Sequence, residues 1–230
     1  MSTIRFDERY EQILHASALT FAEKGFAAAS IRDLSRATRL SLAGLYYYFD
    51  SKEALLFRIQ SHCLRTLLAR LDHKLETSAD PEQQLRLFIA NHLGTFAQHL
   101  PEMKVLARDS EALGGRYGRT IVELKSRYES RLLAILQQLQ RAGRLRPIPL
   151  EAAASGLLGM LNALYLWYQP VHDGKLGRVA ESMADIFLGG VVRPVAETDS
   201  LSPQPRAPRA RSAQRAPKAN PNGKSPAKGP

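Results

Sequence analysis

Cysteine is almost absent from this sequence of 230 residues, in which Cys63 is the single example. One cysteine cannot form a disulfide within the chain, so a disulfide-stapled secreted domain is excluded. The first residues also lack the charged segment, the apolar segment and the small-residue cleavage site of a secretory leader. We therefore expect a cytoplasmic protein.

Long apolar runs are missing as well. The longest one, residues 152–167, is interrupted by Ser155, Gly156, Gly159 and Asn162. It is also shorter than the roughly 20 residues that cross a bilayer. The sequence thus predicts a helix buried in protein and no membrane partner.

Motifs for catalysis and metal binding are not found. The six histidines form no metal-binding pattern, and His92 and His99 share a helix face without a carboxylate pair nearby at ligand spacing. The glycine pairs follow helices rather than strands, so no phosphate loop, dinucleotide fingerprint or nucleophile elbow is formed. We expect no enzyme activity, no metal and no cofactor.

Leucine and alanine dominate the residues that are present, and hydrophobic residues make up 44% of the chain. Apolar positions recur at helical spacing with few β-branched runs, which predicts an all-α fold of about nine helices. The first helix stops at Gly25. Its apolar side carries Ile13, Leu14, Ala18, Phe21 and Ala22.

Two short helices follow the first. Ser30 and Asp33 have the spacing of a capping box, which starts the second helix. After a break at residues 38–40, Ser41 is a good N-cap for the third helix. A helix-turn-helix of this kind, between about Ser30 and Lys52, has the geometry that presents its second helix to a DNA major groove, although any small three-helix bundle shares the pattern. The apolar positions that we expect to face inward are Ile31, Leu34, Ala37, Leu40, Leu45 and Phe49.

Six further helices are predicted downstream. Asp50 and Glu53 have the spacing of a cap for the fourth, and prolines open the fifth and sixth. The predicted spans are Asp50 to about Leu75, from Pro81 onward, Pro101 to about Leu113, Arg119 to Ala142, Pro149 to Tyr168, and Leu176 to about Val192.

Three regions follow from these patterns. We expect a helix-turn-helix DNA-binding domain at residues 1–50 and a helical ligand-binding and dimerisation domain at 51–193, which opens with a connecting helix at 51–78. Residues 194–230 contain seven basic residues against two acidic ones and almost no large apolar side chains. Such a segment cannot offset its ordering entropy, so a disordered basic tail is predicted. Its charge suits nonspecific contact with DNA, and the alternatives are that it raises the local protein concentration on the chromosome or only keeps the chain in solution.

Residues 45–55 read Leu-Tyr-Tyr-Tyr-Phe-Asp-Ser-Lys-Glu-Ala-Leu, which closely resembles the signature of the TetR family of transcriptional regulators. Residues 21–26 and 30–34 resemble the same family at the same spacing. The resemblance implies a homodimer with one head per half-site, a third helix in the major groove, and a helical body whose ligand changes the spacing of the heads.

The candidate DNA contacts have distinct physical reasons. The first turn of the third helix reaches base edges, the exposed tyrosine hydroxyls reach phosphates, and the Lys52 ammonium meets a phosphate at a helix N-terminus. Arg39 departs from the family, which often has glycine there, and a left-handed turn would then cost about 1 kcal/mol. The candidates are Ser30, Arg32, Arg39, Ser41, Leu42, Ala43, Gly44, Tyr46, Tyr47 and Lys52.

Residues 156–168 and 184–190 resemble the branch of the family that senses acyl-CoA thioesters and controls lipid or steroid catabolism. Gly156 and Gly159 let helices approach closely, which favours a dimer interface through the last two helices. A ligand pocket between helices four to eight is expected, although the same side chains also suit any helical core. Its candidates are Phe88, Leu93, Phe96, Met103, Leu106, Arg108, Tyr117, Ile121, Leu124, Tyr128 and Trp167.

The sequence therefore predicts a ligand-responsive regulator, most simply a repressor, that binds a palindromic operator as a homodimer and is released by a small hydrophobic or acyl-CoA-like effector. One alternative is a nonspecific nucleoid-associated protein that uses its helical bundle and basic tail. Another is a small-molecule carrier with a vestigial head. The operator sequence and the effector are not specified by these patterns.

Overall fold

The computed structural model describes residues 2–109, 111–168 and 175–192, and their side chains from residue 8 onward except at residue 175. All of these residues belong to one compact unit. The tail that we predicted to be disordered, residues 194–230, lies outside the described residues. Within them, no helix is both long enough and apolar enough to cross a membrane.

The described residues form ten helices and no strand, which confirms the all-α fold. A single antiparallel bridge joins Leu145 to Val192. The helices are α1 (Ser2–Lys24), α2 (Ile31–Thr38), α3 (Leu42–Tyr48), α4 (Lys52–Leu75), α5 (Pro81–Gln98), α6 (Leu100–Arg108), α7 (Gly115–Arg141), α8 (Leu150–Asn162), α9 (Leu164–Trp167) and α10 (Lys175–Val191).

Local hydrogen bonds explain where the short helices begin. The capping box at α2 is confirmed, since the Asp33 amide donates to the Ser30 hydroxyl over 3.1 Å and the Ser30 amide donates to the Asp33 carboxylate over 2.9 Å. Ser41 accepts from the Gly44 amide over 3.0 Å and caps α3. The cap that we predicted at Asp50 is wrong, because Ser51 caps α4 instead by accepting from the Ala54 amide over 3.0 Å.

Three helix boundaries also differ from the prediction. The eighth predicted helix is divided at Ala163, which ends α8 and leaves α9 as a separate turn. The sixth ends at Arg108 rather than near Leu113. The seventh begins at Gly115, whose φ of +57° suits glycine, and the Leu113 carbonyl approaches Gly118 so closely that any side chain there would clash.

The core of the body lies between α4, α5 and α7, with α10 packed on α5 and α8 packed on α7. In the head, α1 packs against α2, α4 and α6. The inward position predicted at Ala37 is wrong. Ala37 is exposed and Thr38 is buried in its place, because the Thr38 hydroxyl donates to the Leu34 carbonyl over 2.8 Å and is satisfied within the helix.

Candidate nucleic-acid interface and effector cavity

The turn between α2 and α3 is left-handed at Arg39. This residue has a φ of +55° and is the one non-glycine residue with positive φ in the described part of the chain. A side chain costs about 1 kcal/mol in this conformation, and glycine would avoid that cost. The Leu40 amide donates to the Ser35 carbonyl over 3.1 Å and closes the turn.

Two side chains that the sequence analysis missed hold this turn in place. The Ser35 hydroxyl donates to the Leu40 carbonyl over 2.6 Å. From α1, the guanidinium of Arg9 donates to the Thr38 carbonyl over 3.0 Å. The contact between Arg9 and Thr38 spans 29 residues of sequence, so no local pattern indicates it. Together these bonds fix the angle at which α3 leaves α2.

The helix α3 presents one side to solvent. Leu45 is buried, and Phe49, the C-cap residue that follows the helix, is buried as well. Tyr46 is 50% exposed and Tyr47 is 77% exposed. Gly44 is half-buried, and a Cβ there would lie 3.3 Å from the capping hydroxyl of Ser41. We call the exposed side the reading face; it consists of Ser41, Leu42, Ala43, Tyr46 and Tyr47.

The basic residues beside the reading face differ in whether they are paired with an acidic side chain. Asp33 forms ion pairs with two of them, since the Lys24 ammonium lies 2.8 Å and the Arg36 guanidinium 2.6 Å from its carboxylate. Hydrogen bonds from Lys24 and from Ser30 hold the pKa of Asp33 well below its usual range. The Ser30 hydroxyl is therefore occupied within the cap. Arg32 and Arg39 are exposed and have no ion-pair partner among the described side chains.

Lys52 has a structural role that the sequence did not indicate. Its ammonium donates to the carbonyl oxygens of Phe26 and Ala29 over 2.9 and 3.1 Å. It also lies 4.4 Å from the centre of the Phe26 ring, a cation–π geometry. Lys52 thus fastens the loop between α1 and α2 to the start of α4, and its contact with a phosphate stays a prediction.

A cavity of about 220 Å³ lies in the helical body. Three of the predicted pocket residues, Met103, Leu106 and Tyr128, line it. Others that line it were missed, because helical periodicity shows that a residue faces inward but not which gap it faces. The remaining lining residues are Leu64, Leu67, His92, Ala107, Lys125, Glu129, Leu158 and Asn162.

The other predicted pocket residues lie elsewhere. Tyr117 stacks on Phe57 with ring centres 4.5 Å apart, and exposed Trp167 lies in an open groove against α10. Arg108 turns away from the cavity toward α1. Five of the predicted residues fill the tightly packed core instead of the cavity wall: Phe88, Leu93, Phe96, Ile121 and Leu124.

Two polar side chains of the cavity, His92 and Tyr128, are buried. His92 Nδ1 lies 3.2 Å from the Tyr128 hydroxyl, and burial lowers the pKa of His92 to about 4. Burial also raises the pKa of Tyr128 well above its usual value and lowers that of Lys125. At neutral pH the imidazole is therefore neutral.

The helix α6 joins the cavity to the head. Met103 and Leu106 line the cavity from α6. At the end of the same helix, Arg108 donates to the carbonyl oxygens of Phe21 and Ala22, the latter over 3.2 Å. Glu102, on the first turn of α6, lies 2.8 Å from His15 of α1. Side chains at both ends of α6 therefore contact α1.

The last helices expose small and apolar residues. Gly156 and Gly159 lie on the outer side of α8, where a Cβ would meet no atom of the chain within 4 Å. Ile186 of α10 is 68% exposed, and Trp167 is exposed beside it.

Among the described residues, no group of three or more histidine, cysteine or acidic side chains is placed to hold a metal.

Comparison with known proteins shows which family has this architecture. Residues 13–59 match the domain described as "Bacterial regulatory proteins, tetR family", and residues 78–191 match "Tetracyclin repressor-like, C-terminal domain". The crystal structure of the TetR-family regulator PfmR from Thermus thermophilus is 32% identical, with a TM-score of 0.71 over 77% of this chain and 97% of that chain. The chain belongs to the TetR family of transcriptional regulators.

Relatives of this TetR-family chain include named repressors. The repressor KstR2 of Mycobacterium tuberculosis is 22% identical over 190 residues, which cover 81% of this chain and 94% of KstR2. AibR, whose structure contains isovaleryl coenzyme A and operator DNA, is 24% identical and has a TM-score of 0.71 over 77% of this chain and 97% of AibR. At these identities the structural likeness shows the fold.

Proposed function

We propose that this TetR-family chain is a repressor that binds a palindromic operator as a homodimer and leaves it when a small hydrophobic or acyl-CoA-like effector enters the body. The observation that carries the proposal is the reading face: α3 is the second helix of a helix-turn-helix and exposes its first turn together with Tyr46 and Tyr47. Such a first turn is the part that reaches base edges.

The composition of the reading face supports a particular mode of reading. Leu42 and Ala43 cannot donate hydrogen bonds from their side chains, so their favourable base contact is with a thymine methyl group. Tyr46 and Tyr47 extend their hydroxyls from the next turn toward the phosphates, and Arg32 and Arg39 add positive charge beside them. Phosphate contacts of this kind orient the protein on the duplex, whereas the base contacts specify the sequence.

Dimerisation is supported by the outer faces of α8 and α10. Ile186 exposes an apolar side chain on α10, and Gly156 and Gly159 leave room beside α8; both features suit packing against a second copy of the chain. A two-fold dimer presents two α3 helices to half-sites one helical turn or a multiple apart. The palindromic operator follows from that symmetry.

Effector control is supported by the double role of α6. Its inner side lines the cavity through Met103 and Leu106, and its ends hold α1 through Glu102 and Arg108. A ligand that prefers a shifted α6 would move the head, and its effect is limited by its difference in affinity for the two positions. The relative AibR, whose structure contains isovaleryl coenzyme A, is in keeping with such an effector.

A footprinting experiment tests the proposal. The full chain is bound to the DNA upstream of its own gene, and protected positions are mapped with and without candidate effectors. We expect two protected half-sites related by two-fold symmetry, with protection lost when the effector is added. A single unsymmetrical site, or uniform coverage of the fragment, would contradict the dimeric operator.

A further inference from the structure

An open cleft with a volume of about 180 Å³ lies between α1 and α4. It is separate from the cavity of the body, because none of the described residues lines both. Arg58, His62 and Arg65 line the cleft from α4, and all three side chains are exposed. The described lining contains no acidic residue. The cleft therefore carries the two positive charges of its arginines.

The spacing of these basic residues directs them to one place. Positions 58, 62 and 65 are four and three residues apart, so they share one face of α4. Arg58 and Arg65 are separated by roughly 10 Å along the helix axis, and their long side chains can converge on one group between them. His62 lies between the two and offers a ring N–H even when it is neutral.

The two arginines have no acidic partner. Neither Arg58 nor Arg65 forms an ion pair with a described side chain, whereas Arg131 is paired with Asp72. Their guanidinium groups are thus available to an anion from solution.

The charges of α1 near the cleft are those that act on Tyr10. Burial raises the pKa of Tyr10, the charge of Arg58 opposes that rise, and the charge of Glu11 adds to it. Glu11 is exposed and does not line the cleft.

The other side of the cleft is apolar and held in place. Tyr10 packs on Phe49 with ring centres 5.3 Å apart, and Phe57 stacks on Tyr117 at 4.5 Å. Buried Leu14 lies between α1 and the cleft. Rings that are already fixed lose little side-chain freedom when a ligand packs on them. The lining therefore suits a ligand with an anionic end and a small apolar or aromatic body.

Phosphate fits the basic side better than carboxylate does. The guanidinium fork of arginine binds either group through paired hydrogen bonds. A carboxylate carries one negative charge, whereas a phosphate monoester carries about 1.5 to 2 at neutral pH and has three acceptor oxygens. Its charge matches that of the two arginines. The volume lies below the roughly 300–1,000 Å³ that encloses a drug-sized molecule, so the ligand is small.

We propose that the cleft between α1 and α4 binds a small phosphate monoester, whose oxygens accept hydrogen bonds from Arg58 and Arg65 and whose organic part packs on Tyr10 and Phe57. The inference goes beyond the proposed function and does not depend on it. Arg65 lies roughly 20 Å along α4 from Lys52, the residue of that helix nearest the predicted DNA contacts. A free phosphate compound therefore suits the cleft better than a phosphate of the operator.

Calorimetric titration of the full chain at neutral pH and fixed salt concentration tests the proposal. The ligands are phenyl phosphate, inorganic phosphate, benzoate and phenol. We expect phenyl phosphate to bind about tenfold more tightly than benzoate or phenol, because it adds charge and charged hydrogen bonds. Inorganic phosphate, which lacks the ring, should bind about threefold more weakly than phenyl phosphate. Equal binding of phenyl phosphate and benzoate, or of phenyl phosphate and inorganic phosphate, would overturn the proposal.

Three variants locate the site. Arg58→Gln and Arg65→Gln should each weaken phenyl phosphate binding about fivefold, the effect of hydrogen bonds from an exposed charged donor. Arg127→Gln removes the same charge from the exposed side of α7, away from the cleft, and should leave binding unchanged. Circular dichroism verifies that all three are folded. Equal losses in the three variants, or no loss in the first two, would overturn the assignment to this cleft.

Binding to a random DNA fragment separates a free phosphate compound from the DNA backbone. The slope of affinity against salt concentration should be the same for Arg58→Gln, Arg65→Gln and the parent chain. A slope smaller by about one in each variant would assign these arginines to DNA phosphates and overturn the proposal. The proposed function fails separately, because an operator without two-fold symmetry would leave phenyl phosphate binding as it is.

Discussion

The ammonium of Lys52 donates to the carbonyl oxygen of Phe26 over 2.9 Å while it lies over the ring of the same residue. Lys52 is the first residue of α4, and Phe26 belongs to the loop that leads into α2. One side chain thus joins the helix that enters the body to the loop that orients the head.

Lys52→Ala should lower the free energy of unfolding by about 2 kcal/mol, because two hydrogen bonds from a charged donor are lost and two carbonyl groups lose their partner. Urea denaturation followed by circular dichroism measures the change. Glu53→Gln alters the exposed neighbour and should change the free energy by less than about 0.5 kcal/mol. Equal stability of Lys52→Ala and the parent chain would show that these contacts contribute nothing.

The tyrosines of the reading face should matter for DNA and not for folding. Tyr46→Phe and Tyr47→Phe each remove an exposed hydroxyl, so the free energy of unfolding should stay the same. Operator affinity should fall about fivefold for each, the effect of one lost hydrogen bond. Tyr117→Phe, in the body, is the control. An operator affinity equal to that of the parent chain in both variants would show that these hydroxyls do not contact DNA.

The dimer should depend on Ile186. It is 68% exposed on α10, and Val122, on the outer side of α7, is 66% exposed. Ile186→Glu places a charge in the proposed interface and should yield monomers in analytical ultracentrifugation, because a buried unpaired charge is costly. Val122→Glu should leave the dimer intact. The same oligomeric state for both variants would place the interface elsewhere.

Arg108→Gln should uncouple the effector from the head. The guanidinium joins α6 to the carbonyl groups of Phe21 and Ala22, and it touches neither the cavity nor the reading face. We expect operator and effector affinities within about twofold of the parent values, with effector-induced release weakened about tenfold, in the usual range of coupling. Arg131→Gln, which removes an arginine paired with Asp72, is the control. Normal effector-induced release by Arg108→Gln would show that Arg108 does not couple the effector to the head.

Acid should destabilise the chain through His92. Its pKa falls from 6.5 in the unfolded chain to about 4 in the fold because of burial. Between these values the unfolded chain binds the additional proton, so the free energy of unfolding decreases as the pH falls from 6.5 to 4, by about 3 kcal/mol in total. Burial lowers the pKa of His99 too, which adds in the same direction.

Two variants test this assignment by denaturation at a series of pH values. His92→Phe should flatten the decrease between pH 6.5 and 4, leaving the smaller part due to His99. His73→Ala changes an exposed histidine elsewhere, on α4; it is the control and should keep the decrease. An unchanged slope in His92→Phe would assign the pH dependence to other groups.

The reading face was predictable because its signals are local. Ser30 and Ser41 cap helices through residues three positions away, and the exposed positions of α3 follow from helical spacing. A left-handed turn at Arg39 was considered because the family often has glycine at this position. Arg9 was not foreseen, since its bond to the turn crosses 29 residues and depends on how α1 packs.

The body was less predictable for a physical reason. Periodicity showed that Phe88 and Met103 face inward, yet packing alone decides that the first fills the core and the second lines a cavity. The break at Ala163 has no glycine or proline to indicate it, and alanine is the best helix former. His92 and Lys125 come from different helices, so their meeting in one cavity depends on the tertiary fold.

If the chain reads a specific DNA sequence, its affinity for its own promoter exceeds its affinity for unrelated DNA. Fluorescence anisotropy at one fixed salt concentration compares the affinity of the full chain for its own promoter fragment with that for a shuffled fragment of equal length and composition. We predict a ratio of about 1,000 or more, as for specific DNA-binding proteins. A ratio near one would contradict sequence-specific binding and would favour a nonspecific, nucleoid-associated protein.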